Sequence, residues 1–151
     1  MTDYAVVLAT HLAATEGAHP ARDLALHTQI PEPTASKVLK KLARAGVVSS
    51  QRGAKGGYAL ARPPERIGIH EVIEAIEGPI AVTECSDETT DSSCEYETSC
   101  GVRANWQRIN LAVQSALADI SLADMAVPGA AELVSLSLSS ADANRLRAGL
   151  E

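Results

Sequence analysis

Pro31 and Pro33 stand just ahead of a strongly two-faced segment, and together they restrict where its helix can begin. A residue that precedes proline is pushed out of the helical region, so Ile30 and Glu32 are expected to be extended and the helix to run from Pro33 to Ala45. Ala35, Val38, Leu39 and Leu42 then fall on one side at helical spacing, and Lys37, Lys40, Lys41 and Arg44 on the other. Gly46 supplies a left-handed cap. Upstream, Pro20 suits a helix start, so Ala21 to Thr28 reads as a short helix. Thr2 to Ala14 reads as a first helix with Tyr4, Leu8 and Leu12 along one face, ended by Gly17. Val47 to Ser50 and Tyr58 to Ala61 are strand-like runs around Arg52-Gly53-Ala54-Lys55-Gly56-Gly57, a loop that can turn tightly while presenting two cations. The pattern specifies a mainly α chain, a winged helix-turn-helix with a small β-wing.

The chain's net charge of -6 would oppose nucleic acid if it were evenly spread, but it is segregated. From Ile30 to Arg62 the charged residues are Lys37, Lys40, Lys41, Arg44, Arg52, Lys55 and Arg62 against Glu32, whereas every charged residue from Glu71 to Cys100 is acidic. One part can meet double-stranded DNA while the rest repels non-specific contacts. Thr34, Ser36, Lys37 and Lys40 sit in the first turns of the two-faced helix, the part of an inserted helix that reaches base edges. Lys41, Arg44 and Lys55 are expected on phosphates and Arg52 in the minor groove.

With 151 residues there is room for one domain, or a DNA-binding module with an oligomerisation arm, and not for a large enzyme core. No enzymatic activity is expected. Phe is absent, so the interior must be built from Ala, Val, Leu and Ile. Apolar runs such as Ala5 to Ala9 are far shorter than the roughly 20 residues a membrane span needs, and no signal segment is apparent, which reads as a cytoplasmic protein without a membrane partner.

Ile69 to Ile76 is a further helical segment with Ile69, Val72, Ile73 and Ile76 on one stripe. Thr83 to Cys100 is a polar loop, and Arg103 to Ile120 a long helix whose Trp106, Ile109, Val113, Leu117 and Ile120 form an apolar seam. Such a seam wants a partner helix, which implies an antiparallel homodimer contact. The expected organisation is a winged helix-turn-helix over residues 1–80, a cysteine loop over 81–101, a dimerisation helix over 102–127 and a tail over 128–151 with a short helix near Ala141 to Ala148. The three cysteines read Cys85-x8-Cys94-x5-Cys100, an odd number that does not suit a paired disulfide framework. They could ligate an iron-sulfur cluster or zinc, or act as redox-sensing thiols. The surrounding carboxylates disfavour a reactive thiolate, and zinc ordinarily takes four protein ligands, whereas the segment has neither a tight Cys-x2-Cys knuckle nor a His pair.

The chain resembles the Rrf2 family of bacterial regulators, and within it the SUF-system iron-sulfur assembly regulators. The resemblance rests on Thr2-Asp3-Tyr4-Ala5, the helix from Pro33 into Leu42-Ala43-Arg44-Ala45-Gly46-Val47-Val48, and Arg52-Gly53-Ala54-Lys55-Gly56-Gly57-Tyr58-Ala59-Leu60. Ile69 to Gly78, the three cysteines and Ile120 to Met125 extend it. It implies a homodimer in which Cys85, Cys94 and Cys100 hold a 2Fe-2S or 4Fe-4S cluster whose state sets DNA affinity, in a repressor of suf-type cluster-assembly genes. Members similar to the Isc-system regulator carry a ligating His three residues after the last cysteine, where this chain has Arg103. Nitric-oxide-sensing members use an Asp near the start of the first helix of the other subunit, and Asp3 matches that position. The family's short basic lead-in before the first helix is absent from the sequence, as a truncated or misassigned start would leave it. His11, His19, His27 and His70 match no ligand position and read as structural or surface residues. The competing readings are a cluster-free or zinc-bearing member, and a redox or cluster-carrying accessory protein that binds protein in place of DNA.

Overall fold

A computed structural model describes residues 1–53, 56–83, 94 and 99–127. Lys55, Cys85 and the 128–151 tail with its expected helix lie outside the described residues. The order is α1 (Thr2–Ala13), α2 (Ala21–Thr28), α3 (Glu32–Arg44), β1 (Val48–Gln51), β2 (Gly57–Leu60), a 3-10 turn (Pro64–Arg66), α4 (Ile69–Glu77), α5 (Arg103–Ala118) and α6 (Leu122–Ala126). It is a mainly helical winged helix-turn-helix with, among the described residues, one two-stranded antiparallel sheet.

The first helix is the hub, touching α2, α3, α4, α6 and β2. Its buried face is Ala5, Leu8, Ala9 and Leu12, while Tyr4 stays 39% exposed. The buried stripe is therefore rotated away from the expected one through Tyr4: with neighbours crowding from several directions, two alanines allow the close approach that a tyrosine would prevent. The helix stops at Ala13, and Gly17, at φ 84, takes up the left-handed turn that follows.

The third helix begins one residue earlier than the proline rule implies, with Glu32 in its first turn and Pro31 as cap. The Pro31 carbonyl accepts from the amides of Thr34 and Ala35, each at 2.9 Å. Pro33 is tolerated there because first-turn amides have no intrahelical acceptor, so its missing N–H forfeits nothing. At the other end Gly46, at φ 75, lets Val47 N–H reach Leu42 O at 3.0 Å and Gly46 N–H reach Ala43 O at 3.2 Å, the paired bonds of a Schellman cap. Because Val47 is used in that cap, β1 starts at Val48 and β2 at Gly57, one residue off each expected strand, in the register Val48 to Leu60 and Gln51 to Gly57. Ala35, Val38, Leu39 and Leu42 are fully buried against α1 and α4, as the pattern requires.

The long helix closes at Ala118, so Ile120 and the residues after it are not part of one continuous 102–127 helix. Ser121 and Asp124 exchange hydrogen bonds in a capping box that opens α6, with Asp124 N–H on Ser121 Oγ at 3.1 Å and Ser121 N–H on Asp124 Oδ2 at 2.8 Å. The Ile120 carbonyl accepts from Ile69 N–H and Leu122 N–H donates to Ile67 O, which returns the chain to the core and buries Leu122 completely. Among the described residues no helix is long and apolar enough to cross a membrane.

Three histidines converge where the wing meets the helices. The His11 ring lies 5.6 Å from that of His27 and 6.5 Å from that of His19, centroid to centroid. His19 exchanges backbone hydrogen bonds with Tyr58 at 2.9 and 2.8 Å, and any Cβ on Gly57 would overlap the His19 carbonyl, so this junction requires the glycine. Burial, and then the neighbouring His27 and His19, hold the His11 imidazole below its ordinary titration range.

The packing has two testable consequences. Leu39→Ala should cost about 2–5 kcal/mol in urea unfolding, against less than about 0.5 kcal/mol for Leu26→Ala at a 75% exposed site. For His11, the unfolded chain binds the proton more readily than the folded one, so stability must fall as pH drops below the ordinary histidine value of about 6.5. His11→Gln should flatten that decline in urea midpoints taken between about pH 7.5 and 5; an unchanged slope contradicts the assignment.

Candidate nucleic-acid interface and cysteine segment

The buried face of α3 determines what its other face presents. Lys37, Lys40 and Arg44 are exposed along the outward side, with Thr34 and Ser36 half-buried in the first turns. Beyond the Gly46 cap the hairpin projects exposed Arg52 at its tip, so the described cations of helix and wing belong to one continuous run of chain. Lys55, expected beside Arg52, is outside the described residues.

Two of the cations counted in the sequence are occupied within the chain. Lys41 is half-buried and its Nζ donates to the Ile76 carbonyl at 2.7 Å. Arg62 pairs with Glu71, whose carboxyl also accepts from the Gly68 amide at 3.1 Å. Burial pushes the Glu71 carboxyl up, but Arg62 and the Gly68 amide outweigh it and hold the group below its usual range. The inward turn of Lys41 had no signal in the sequence, because its partner is a backbone atom of a distant helix.

Of the three cysteines, Cys94 and Cys100 are half-buried thiols and Cys85 is outside the described residues. Cys100 sits at the entry of α5, its carbonyl accepting from Arg103 N–H at 3.3 Å, and the first turn of α5 carries no acidic residue. The positive end of the α5 helix dipole favours negative charge, so the setting of Cys100 suits a thiolate ligand. Arg103 occupies the first helical position and offers no lone pair to a metal. Among the described residues no three His, Cys, Asp or Glu side chains converge as a metal-binding group. Asp3 is on the surface at 73% side-chain exposure, 3.4 Å from the chain's own N-terminal ammonium. The backbone N–H of Tyr4 leads the groups that hold its carboxyl below the ordinary aspartate range.

The seam of α5 divides in two. Leu117 and Ile120 pack against the core of their own chain, whereas Ile109 is 45% and Val113 38% exposed and Trp106 is half-buried. Beside the seam, Asn110 is buried and its Oδ1 accepts from Val82 N–H at 3.0 Å, while Gln114 Nε2 donates to Ile80 O at 2.9 Å. The sequence analysis singled out neither amide, since the partner of each is a backbone atom of a segment far away in the chain.

The comparisons with known proteins agree on one family. Residues 1–128 match the family described as "Rrf2: Iron-dependent Transcriptional regulator". The HTH-type transcriptional regulator IscR of Aliivibrio salmonicida is 31% identical over 134 residues, 87% of this chain and 78% of that protein. Among solved structures, CymR, the global cysteine regulator of B. subtilis, superposes with a TM-score of 0.62 at 30% identity, over 83% of this chain and 92% of that one. T. potens IscR gives 0.59 at 28% identity, over 82% and 81%.

Proposed function

The chain belongs to the Rrf2 family of DNA-binding transcriptional regulators, and from that premise we propose that it is an iron-sulfur-sensing repressor that reads its operator with α3 and the wing. The observation that carries the DNA reading is the exposed row of Lys37, Lys40 and Arg44 on a helix whose opposite face is fully buried, with Arg52 on the wing that follows. Thr34, Ser36, Lys37 and Lys40 face base edges, and Arg44, Arg52 and Lys55 supply phosphate and groove contacts. The exposed Ile109 and Val113 support a homodimer through α5, which presents two reading helices to a palindromic site.

The finer reading, a cluster sensor for suf-type assembly genes in the cytoplasm, rests on the cysteines and on the resemblance. Cys85, Cys94 and Cys100 would hold a 2Fe-2S or 4Fe-4S cluster, with Asp3 of the opposite subunit as the fourth ligand. When bound, the cluster supplies a redox- and ligand-sensitive charge at the α5 entry. The chain's own part is to present Cys100 at the N-terminus of α5 and to keep Arg103, which cannot ligate, three residues after it.

DNA binding is tested by salt titration. Arg44→Ala should flatten the slope of log affinity against log salt by roughly one unit for every phosphate left unneutralised, and Lys40→Ala and Ser36→Ala should relax sequence preference. Unchanged slopes and preference in all three variants would show that the face is misassigned. For the cluster, anaerobically purified protein should carry visible charge-transfer absorbance with matching iron and sulfide, both abolished in Cys100→Ser. Colourless protein with one bound zinc would favour the zinc-bearing reading, and no metal at all the cluster-free one.

A further inference from the structure

Four side chains from three helices close on the short stretch by which the chain leaves α4 for the cysteines. Lys41 of α3 donates to Ile76 O at 2.7 Å, and Thr2 at the start of α1 hydrogen-bonds the Glu77 carboxylate. From the other side Gln114 holds Ile80 O at 2.9 Å and Asn110 holds Val82 N–H at 3.0 Å. Asn110, at 4% exposure, is the one buried polar residue among the described residues. Burying an amide is costly unless its polar atoms are used, so its bond to Val82 is expensive to break. Lys41 is equally committed: it leaves the exposed row of Lys37, Lys40 and Arg44 to meet a carbonyl in the last turn of α4, which has no helical donor and lies at the negative end of the helix dipole.

We infer that the strap Ile76–Val82 is the relay between the cysteine segment and the DNA-reading helix, and that Lys41 and Asn110 are the positioning residues at its two ends. The inference rests on the DNA-binding and cysteine-sensing readings above and adds the route between them. The strap enters the cysteine segment directly, so a change in that segment's state pulls first on Val82 and Ile80. It reaches Ile76 through at most six residues of chain, and Lys41 passes it to the last turn of α3. Lys41 on this account positions α3 and does not touch phosphate.

The test uses the full-length protein and a duplex that the wild type selects from a random pool. Lys41→Met should weaken binding to that duplex roughly two- to thirtyfold, the range for coupling residues outside a binding site, while leaving the salt slope at its wild-type value. Lys41→Arg, which keeps the charge and the reach, should restore most of the affinity. Asn110→Ala, on a different helix from the reading face, should give a reduction of similar size, and the double variant should lose less than the product of the two single effects. A flattened salt slope for Lys41→Met makes Lys41 a phosphate contact and overturns the inference, as does unaltered affinity in a folded Asn110→Ala protein. If the wild type selects no duplex, the DNA reading itself has failed, and the relay is judged by hydrogen exchange without DNA. Asn110→Ala should then speed exchange in residues 41–47 as well as at Val82, and Lys41→Met at Val82 as well as at 76–78. Acceleration confined to the substituted end in both variants overturns the relay.

Discussion

Everything the domain presents outward depends on the burial of Ala35, Val38, Leu39 and Leu42 against α1 and α4. Fully burying a Val or Leu side chain is worth roughly 1.5–3 kcal/mol, so turning α3 far enough to expose the three larger ones would cost several kcal/mol. An exposed ion pair is worth at most about 1 kcal/mol and cannot compete with that. Lys37, Lys40 and Arg44 are therefore held outward by apolar packing on the far side of their own helix. The Schellman cap at Gly46 then sets where the hairpin leaves, and the His19–Tyr58 backbone pair fixes the wing against the turn after α1.

The apolar packing is strong but has no direction along the helix axis, and the polar contacts supply what it lacks. Lys41, Asn110 and Gln114 each satisfy a backbone atom that secondary structure leaves open between Ile76 and Val82. Bonds of this kind contribute little net stability, yet breaking one of a buried pair is expensive. Such contacts are suited to selecting between two closely spaced arrangements.

How much was legible in the sequence follows from which residues act locally. The two faces of α3 and the stripe of α4 repeat at helical spacing, and the start of α2 is marked by Pro20, so all three are readable without a partner. Glu32 entered the helix because Pro33 sits in the first turn, where an amide has no intrahelical acceptor and its absence forfeits no helix bond, which a rule about the residue before proline does not weigh. Tyr4 was misplaced because the face that α1 buries depends on how many helices surround it, and small residues mark such a hub only once its neighbours are known. Ile120 continued the α5 periodicity, but its burial comes from the return of the chain to α4, and the capping pair Ser121 and Asp124 was the local sign of that break. The inward turn of Lys41 is unreadable in principle from one sequence, since a lysine carries the same charge whether it meets phosphate or a carbonyl. Cys85, Cys94 and Cys100 were read as candidate ligands by residue type, with zinc or redox chemistry left open, and it was the resemblance that pointed to a cluster.

The central claim is that this chain meets DNA through α3 and the wing. Its most direct test is photo-cross-linking to a selected duplex bearing 5-iodouracil at each thymine position in turn, with the attached peptides identified by mass spectrometry. The account predicts cross-links confined to peptides from residues 33–44 and 52–57, moving in step from helix to wing as the labelled base moves outward from the centre of the site. Cross-links concentrated in α5 or on α1, with α3 unmarked at every position, would contradict it.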